Sequence, residues 1–169
     1  NLETDDAVDV IEELGPQEQR AALESLPLET RTDVEELLHY AHDTAGGLMQ
    51  LELAQVTKDA VVDDAVAKVR ALVARNIPVH AIFVVDVEER LLGRVELQKL
   101  LLHPGTAKIS ELMEPVLAKV TPDVDQEVVA AIFKKYSVAS LPVVDREGRL
   151  GGRILHDDIV HVLVEEAEE

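Results

Sequence analysis

The sequence predicts an α+β fold in which a short all-helical segment leads into two copies of a β-α-β-β-α unit. Three observations predict it: an internal repeat, helical spacing of apolar residues in the first forty positions, and an aliphatic composition. Leu48-Met49 recurs as Leu112-Met113, and Val56-Thr57-x-Asp59 as Val120-Thr121-x-Asp123, both at an offset of 64. Further on, Phe83-Val84-Val85-Asp86 recurs as Pro142-Val143-Val144-Asp145, Arg90-Leu91 as Arg149-Leu150, and Gly93-Arg94-Val95 as Gly152-Arg153-Ile154, all at an offset of 59. The first copy therefore carries five extra residues between its helix and its strand, around Arg75 to His80.

Up to about Tyr40 the chain reads as short helices. Val8, Ile11 and Leu14, then Ala22, Leu23 and Leu26, then Val34, Leu37 and Leu38 fall at helical spacing. Pro16 and Pro27 suit first helical positions, and each opens a Pro-x-Glu-x-Arg pattern, 11 residues apart, as stacked short helices would. In each repeat a short β segment (Leu53 to Thr57, Leu117 to Thr121) precedes an amphipathic helix. The helix runs through Ala65, Val66, Val69, Leu72 and Val73 in one copy, and through Val129, Ile132 and Phe133 in the other. A buried strand follows at Ala81 to Val85 or Leu141 to Val144. Next come a hairpin, clear as Asp145-Arg146-Glu147-Gly148-Arg149, a second strand and a closing helix. Asp125 is a suitable N-cap for the second-copy helix, and Val61, its counterpart, is a poor one. So small a sheet cannot cover both faces alone, so the two copies should pack face to face.

Composition narrows the function. With 34 acidic and 16 basic residues the net charge is −18, which repels phosphate backbones and excludes nucleic acid as a natural partner. The same surface concentrates cations, although solubility explains it equally well. Hydrophobic residues make up 47% and aromatics 2%, the signature of folded aliphatic cores. With no cysteine there are no disulfides, thiolate zinc sites or thiol chemistry, which fits an intracellular location. The longest apolar run, around Ala81 to Val85, is far too short to span a bilayer, and the first residues do not read as a signal peptide.

The repeated order, with its V-V-D strands and a Gly-Arg-Val/Ile strand leading into a helix, resembles the CBS pair, in which two motifs form one pseudo-symmetric module. Asp43-Thr44-Ala45-Gly46-Gly47-Leu48-Met49, between an acidic helical segment and the first repeat, looks like the junction of MgtE-type magnesium transporters. The resemblance implies four parts: residues 1–45 as the C-terminal part of an acidic helical N domain, 46–105 and 106–162 as CBS repeats, and 163–169 as the start of a helix leading to a membrane pore domain outside this sequence. It further implies a cytoplasmic Mg²⁺-sensing regulatory region, at the inner face of the cell membrane in the full-length protein. That region dimerises through its CBS repeats, and Mg²⁺ bridges the N domain, the CBS pair and the connecting helix so as to favour a closed pore.

By the same resemblance, the Gly47 carbonyl and the Asp158 carboxylate match an interdomain Mg²⁺ site completed by an acidic side chain of the first helix, Asp6 first and Asp5 second. Glu165, Glu166 and Glu169 of the connecting helix are further candidates. Mg²⁺ needs only one or two carboxylates because it keeps several waters. Helical geometry independently places Asp158, His161, Glu165 and Glu169 on one face, where like charges are mildly destabilising without cations. A solvated, frayed tail accounts for the last residues equally well. Two positions depart from the family, His161 one turn after Asp158 and Ser137 before the second buried strand, where acidic residues are expected. Histidine is a poor Mg²⁺ ligand, so His161 reads as a surface residue.

The alternatives are a CBS-type adenine-nucleotide sensor and a plain dimerisation scaffold. ATP is disfavoured because Leu155 stands where a ribose-binding hydroxyl is expected, Glu96 and Lys99 occupy the corresponding places of the first copy, and no phosphate-binding P-loop is present. An enzyme is the remotest class. The six histidines show no metalloprotease spacing, His39 and His42 suit a helix end, and Ser110, Ser137 and Ser140 lack a nucleophile elbow.

Overall fold

The computed structural model describes residues 16–25, 27–28 and 43–168. Helix α1 (Pro16–Glu24) opens on its proline, whose fixed φ and missing N–H suit a first turn. Most of the second Pro-x-Glu-x-Arg pattern lies outside the described residues. Then follow α2 (Ala45–Leu48), β1 (Gln55–Thr57), α3 (Val62–Ala74), β2 (Ala81–Val85), β3 (Leu91–Glu96), α4 (Leu97–Leu100), α5 (Ile109–Leu112), α6 (Gln126–Tyr136), β4 (Ser140–Val144), β5 (Leu150–Leu155) and α7 (His156–Glu168).

In the first repeat β1 pairs parallel to β2, and β2 pairs antiparallel to β3. The second has the antiparallel pair β4 and β5, and its expected leading strand is reduced to a single parallel bridge from Val120 to Val143. Pro142 explains the difference. In the first repeat the Phe83 N–H donates to the Ala54 carbonyl at 2.9 Å, and Pro142, the counterpart of Phe83, has no N–H to give. The closing helix of the first repeat is also cut to the single turn of α4, with Pro104 soon after it. The five extra residues divide between a longer helix, 13 residues in α3 against 11 in α6, and a longer connection, 75–80 against 137–139. Left-handed residues end both helices, Asn76 at φ 61° and Ser137 at φ 51°.

The packing crosses the boundary of the sequence repeats. One core cluster joins Ala54, Val56, Ala65, Ile82, Val84 and Val95 to Ile109 and Leu112. The other joins Val129, Phe133, Leu141, Ile154 and Ile159 to Ala45 and Met49, with Ala22 of α1 packed against it. Each sheet is thus covered by the segment preceding the other repeat. The glycine of each Gly-Arg-Val/Ile strand makes room for the visiting methionine: a Cβ on Gly93 would lie 2.5 Å from Met113 Cγ, and one on Gly152 would lie 2.8 Å from Met49 Sδ.

Main-chain bonds repeat this exchange in pairs. Arg153 and Gln50 exchange N–H···O bonds of 2.9 and 2.7 Å, as Arg94 and Glu114 do at 2.9 and 2.8 Å. The Ala45 N–H donates to Val124 O, and the Ile109 N–H to Ala60 O. Leu91 N–H to Gly148 O and Leu150 N–H to Glu89 O, both 2.9 Å, mark the pseudo-two-fold axis. The exchange also replaces the expected caps. The Asp125 side chain makes no cap hydrogen bond. Instead the first N–H of α6 donates to Asp43 O, and the first N–H of α3 to Ala107 O, each at 2.9 Å, so the neighbouring segment satisfies the orphan donors.

Candidate cation site where the repeats cross

Asp158 is the third residue of α7. Its Oδ2 accepts the Leu155 N–H at 2.9 Å, folding back over the start of the helix as Asp64 does for the Val61 N–H at 3.0 Å. Gln50 Nε2 lies 3.1 Å from both Asp158 oxygens, so the junction segment is tied to the closing helix 108 residues away. Burial pushes the Asp158 carboxyl above its ordinary value, against the opposing pull of the Leu155 N–H, the Gln50 amide and the Arg153 charge.

Gln50 is held in place by its main-chain exchange with Arg153. That arginine is 1% exposed, and its Nε and Nη2 donate to Glu52 O at 3.0 Å and Pro78 O at 2.6 Å. Burial lowers the Arg153 pKa, offset by the attraction of Asp158 and Glu52. Gly47 lies in the one-turn α2, which Thr44 caps by accepting the Gly47 N–H at 3.4 Å. The Ala45 and Gly46 N–H groups dock this turn onto Val124 O and Pro122 O at 2.8 Å. Carbonyls at a helix end have no partner further along the helix, which leaves them available to outside donors or cations.

Of the residues expected at a cation site, Gly47 and Asp158 are therefore carried by segments that Gln50 joins. Asp5, Asp6 and Glu169 lie outside the described residues. Glu165 and Glu166 continue α7 with only their backbone described. His161 is exposed on α7, and Ser137 is exposed at the end of α6. Among the described residues no three histidine or acidic side chains converge as a metal site. Asp158 is thus a single hard oxygen donor, compatible with Mg²⁺ if carbonyls and water supply most of the shell.

Gln50 and Arg153 were absent from the sequence-based site. The signal was there in the repeat: the counterparts of Gln50 and Asp158 are Glu114 and Lys99, an obvious charge pair. Lys99 Nζ lies 2.7 Å from Glu114 Oε1 and 3.1 Å from Leu112 O. A separate cavity of 350 Å³ lies between the repeats, lined by His80, Arg94, Glu96, Tyr136, Ser137 and Ser140 among others. Arg94 Nε is buried there without a hydrogen-bond partner.

Two β-α-β-β-α halves that exchange their leading segments about a pseudo-two-fold axis are a CBS pair, and the CBS domain family model matches residues 109–165. The model of the MgtE intracellular N domain matches residues 1–43. The magnesium transporter MgtE of Thermus thermophilus is 35% identical over 164 residues, 97% of this chain and 36% of that protein. The cytosolic domain of the Mg²⁺ channel MgtE, crystallised in complex with ATP, superposes with a TM-score of 0.87 at 34% identity, covering 95% of this chain and 66% of that one. The soluble part of a magnesium transporter gives 0.89 at 29% identity, covering 97% of this chain and 64% of that one. The chain belongs to the MgtE family and carries its intracellular N-domain segment and CBS pair. It spans about a third of the length of the MgtE relatives it matches. Among the described residues no helix is long and apolar enough to cross a membrane.

Proposed function

We propose that this chain is the Mg²⁺-sensing regulatory region of a magnesium transporter, working without catalysis at the cytoplasmic face of the membrane. The observation that carries the reading is the half-buried Asp158 carboxylate, tied through Gln50 to the junction that follows the N domain. Gly47 and Asp158, with Asp6 or Asp5 from the first helical segment, form the interdomain site, and Glu165, Glu166 and Glu169 extend it along the connecting helix. Bound there, Mg²⁺ supplies the positive charge that a surface of net charge −18 lacks. The chain's own part is to hold Asp158 and the junction in register, so that the N domain can close on a preformed edge. A site at ~100 times its dissociation constant adds ~2.7 kcal/mol to the clamped form, so several weak sites give a steep switch. Two chains pair through their CBS repeats, and the clamped state holds the pore domain closed.

Hydrogen exchange of the chain across a MgCl₂ titration, at ionic strength matched with KCl and with a separate ATP arm, tests this. Protection of 43–50 and 155–160 that rises with MgCl₂ is expected. Indifference to MgCl₂ would leave a dimerisation scaffold. Protection by ATP alone would favour a nucleotide sensor, a reading to which the inter-repeat cavity with its unpartnered Arg94 Nε lends a specific observation.

A further inference from the structure

The two halves are related by a pseudo-two-fold axis, yet they differ in charge where the leading segment meets the closing helix. In the second half the helix offers a carboxylate, Asp158, and the visiting segment offers the neutral Gln50. In the first half the visiting segment offers the carboxylate, Glu114, and the helix offers an ammonium, Lys99. That ammonium has the surroundings of a bound cation: a main-chain carbonyl, Leu112 O, at 3.1 Å and a carboxylate oxygen at 2.7 Å. We infer that Lys99 is a tethered cation that occupies a latent divalent-ion site formed by Leu112 O and Glu114, so that the first half is clamped at every Mg²⁺ concentration and the ion response is confined to the second half.

Several features support the inference. The carboxylate and carbonyl are hard oxygen donors of the type that Mg²⁺ and Mn²⁺ take. The main-chain exchange between Glu114 and Arg94 at 2.8 and 2.9 Å holds the backbone that carries them, independently of the Lys99 side chain. The hydrogen bond and charge of Lys99 hold Glu114 below its ordinary carboxylate value, as a bound cation would. Lys99 is anchored a second way, through its own carbonyl, which lies 3.0 Å from His103 Nδ1 at the end of the turn.

The confinement of the response rests on the function proposed above, and the test separates the two. Hydrogen exchange is followed at 97–100 and 112–114 in the unaltered chain, in Lys99→Met, and in Lys99→Met combined with Glu114→Gln. Methionine keeps the apolar stem and removes the charge, and the side chain is 32% exposed, so folding is retained. In the unaltered chain these segments should exchange at the same rate with and without MgCl₂. In Lys99→Met they should exchange several-fold faster in chelator and return to the original rate in MgCl₂ but not in matched KCl, and the double variant should stay fast in both. Lysine acting only as a surface ion-pair partner would give a Lys99→Met that MgCl₂ does not rescue, and that result overturns the inference. So does an unaltered chain whose 97–100 and 112–114 already respond to MgCl₂. Protection at 43–50 and 155–160, read in the same samples, decides the proposed function independently.

Discussion

Replacing Gly152 by alanine probes the crossing of the two repeats directly. The new Cβ would sit 2.8 Å from Met49 Sδ, 3.2 Å from Met49 Cγ and 3.0 Å from Gln50 O, all inside the ~3.5–4.0 Å at which carbon contacts are attractive. Met49 can swing partly aside. The Gln50 carbonyl cannot, because it accepts the Arg153 N–H at 2.9 Å while the Gln50 N–H donates to Arg153 O at 2.7 Å. Overpacking of this kind costs ~1–3 kcal/mol, which for a chain of this size lowers Tm by about 2–12 °C. Met49→Ala alone should cost ~2–5 kcal/mol, since the side chain is 2% exposed in the core. The double variant should fall short of the sum by ~1 kcal/mol or more, because removing Met49 relieves two of the three contacts. Thermal melts of both single variants and the double variant, followed by circular dichroism, give the cycle. A Gly152→Ala protein that melts with the parent, or a strictly additive pair, would show that the visiting segment is not seated against this strand.

Asp158→Asn should change the pH dependence of stability in chelator-treated buffer. The folded carboxyl is raised by burial, so the native state binds the proton more tightly than the unfolded chain does. The stability Asp158 contributes is then full below the unfolded value and is lost as pH rises through the folded one. The neutral amide of the variant has no such loss, so the stability of the parent relative to the variant should fall between acid and neutral pH, read as Tm against pH; a parent that gains stability over its variant on going from acid to neutral pH would contradict the sign. Glu89→Gly should stabilise the first hairpin by about 0.5–1 kcal/mol, because Glu89 holds φ 68° where its counterpart in the second hairpin is Gly148 at φ 84°. Urea unfolding would expose the error if the midpoint fell instead.

The first buried strand, Ala81 to Val85, was legible to the residue because its position and burial depend only on a local apolar run. The second hairpin was legible too: Asp145 accepts the Glu147 and Arg149 N–H groups at 2.9 Å, and Gly148 takes the left-handed position. Gly47 and Asp158 were singled out through family resemblance, and the structure adds that Gln50 connects their segments. What failed were features set by another part of the chain. Asp125 suits a cap by sequence, but Asp43 O takes that role, and the Leu117 to Thr121 strand, expected to equal its twin, is reduced beside Pro142 to the Val120 bridge.

By itself the sequence determined the repeat, the order of elements, the acidic surface and the residue types able to hold a hard cation, because these follow from periodicity and composition along one chain. Only the tertiary structure decided which leading segment covers which sheet. It also decided that Arg153 would be buried on Glu52 O and Pro78 O, and that Lys99 would meet Glu114 where the other half sets Asp158 against Gln50. Those contacts join residues 15 to 108 positions apart. Hydrogen bonds and charge pairs act over a few ångströms of space, and only the fold brings such residues that close.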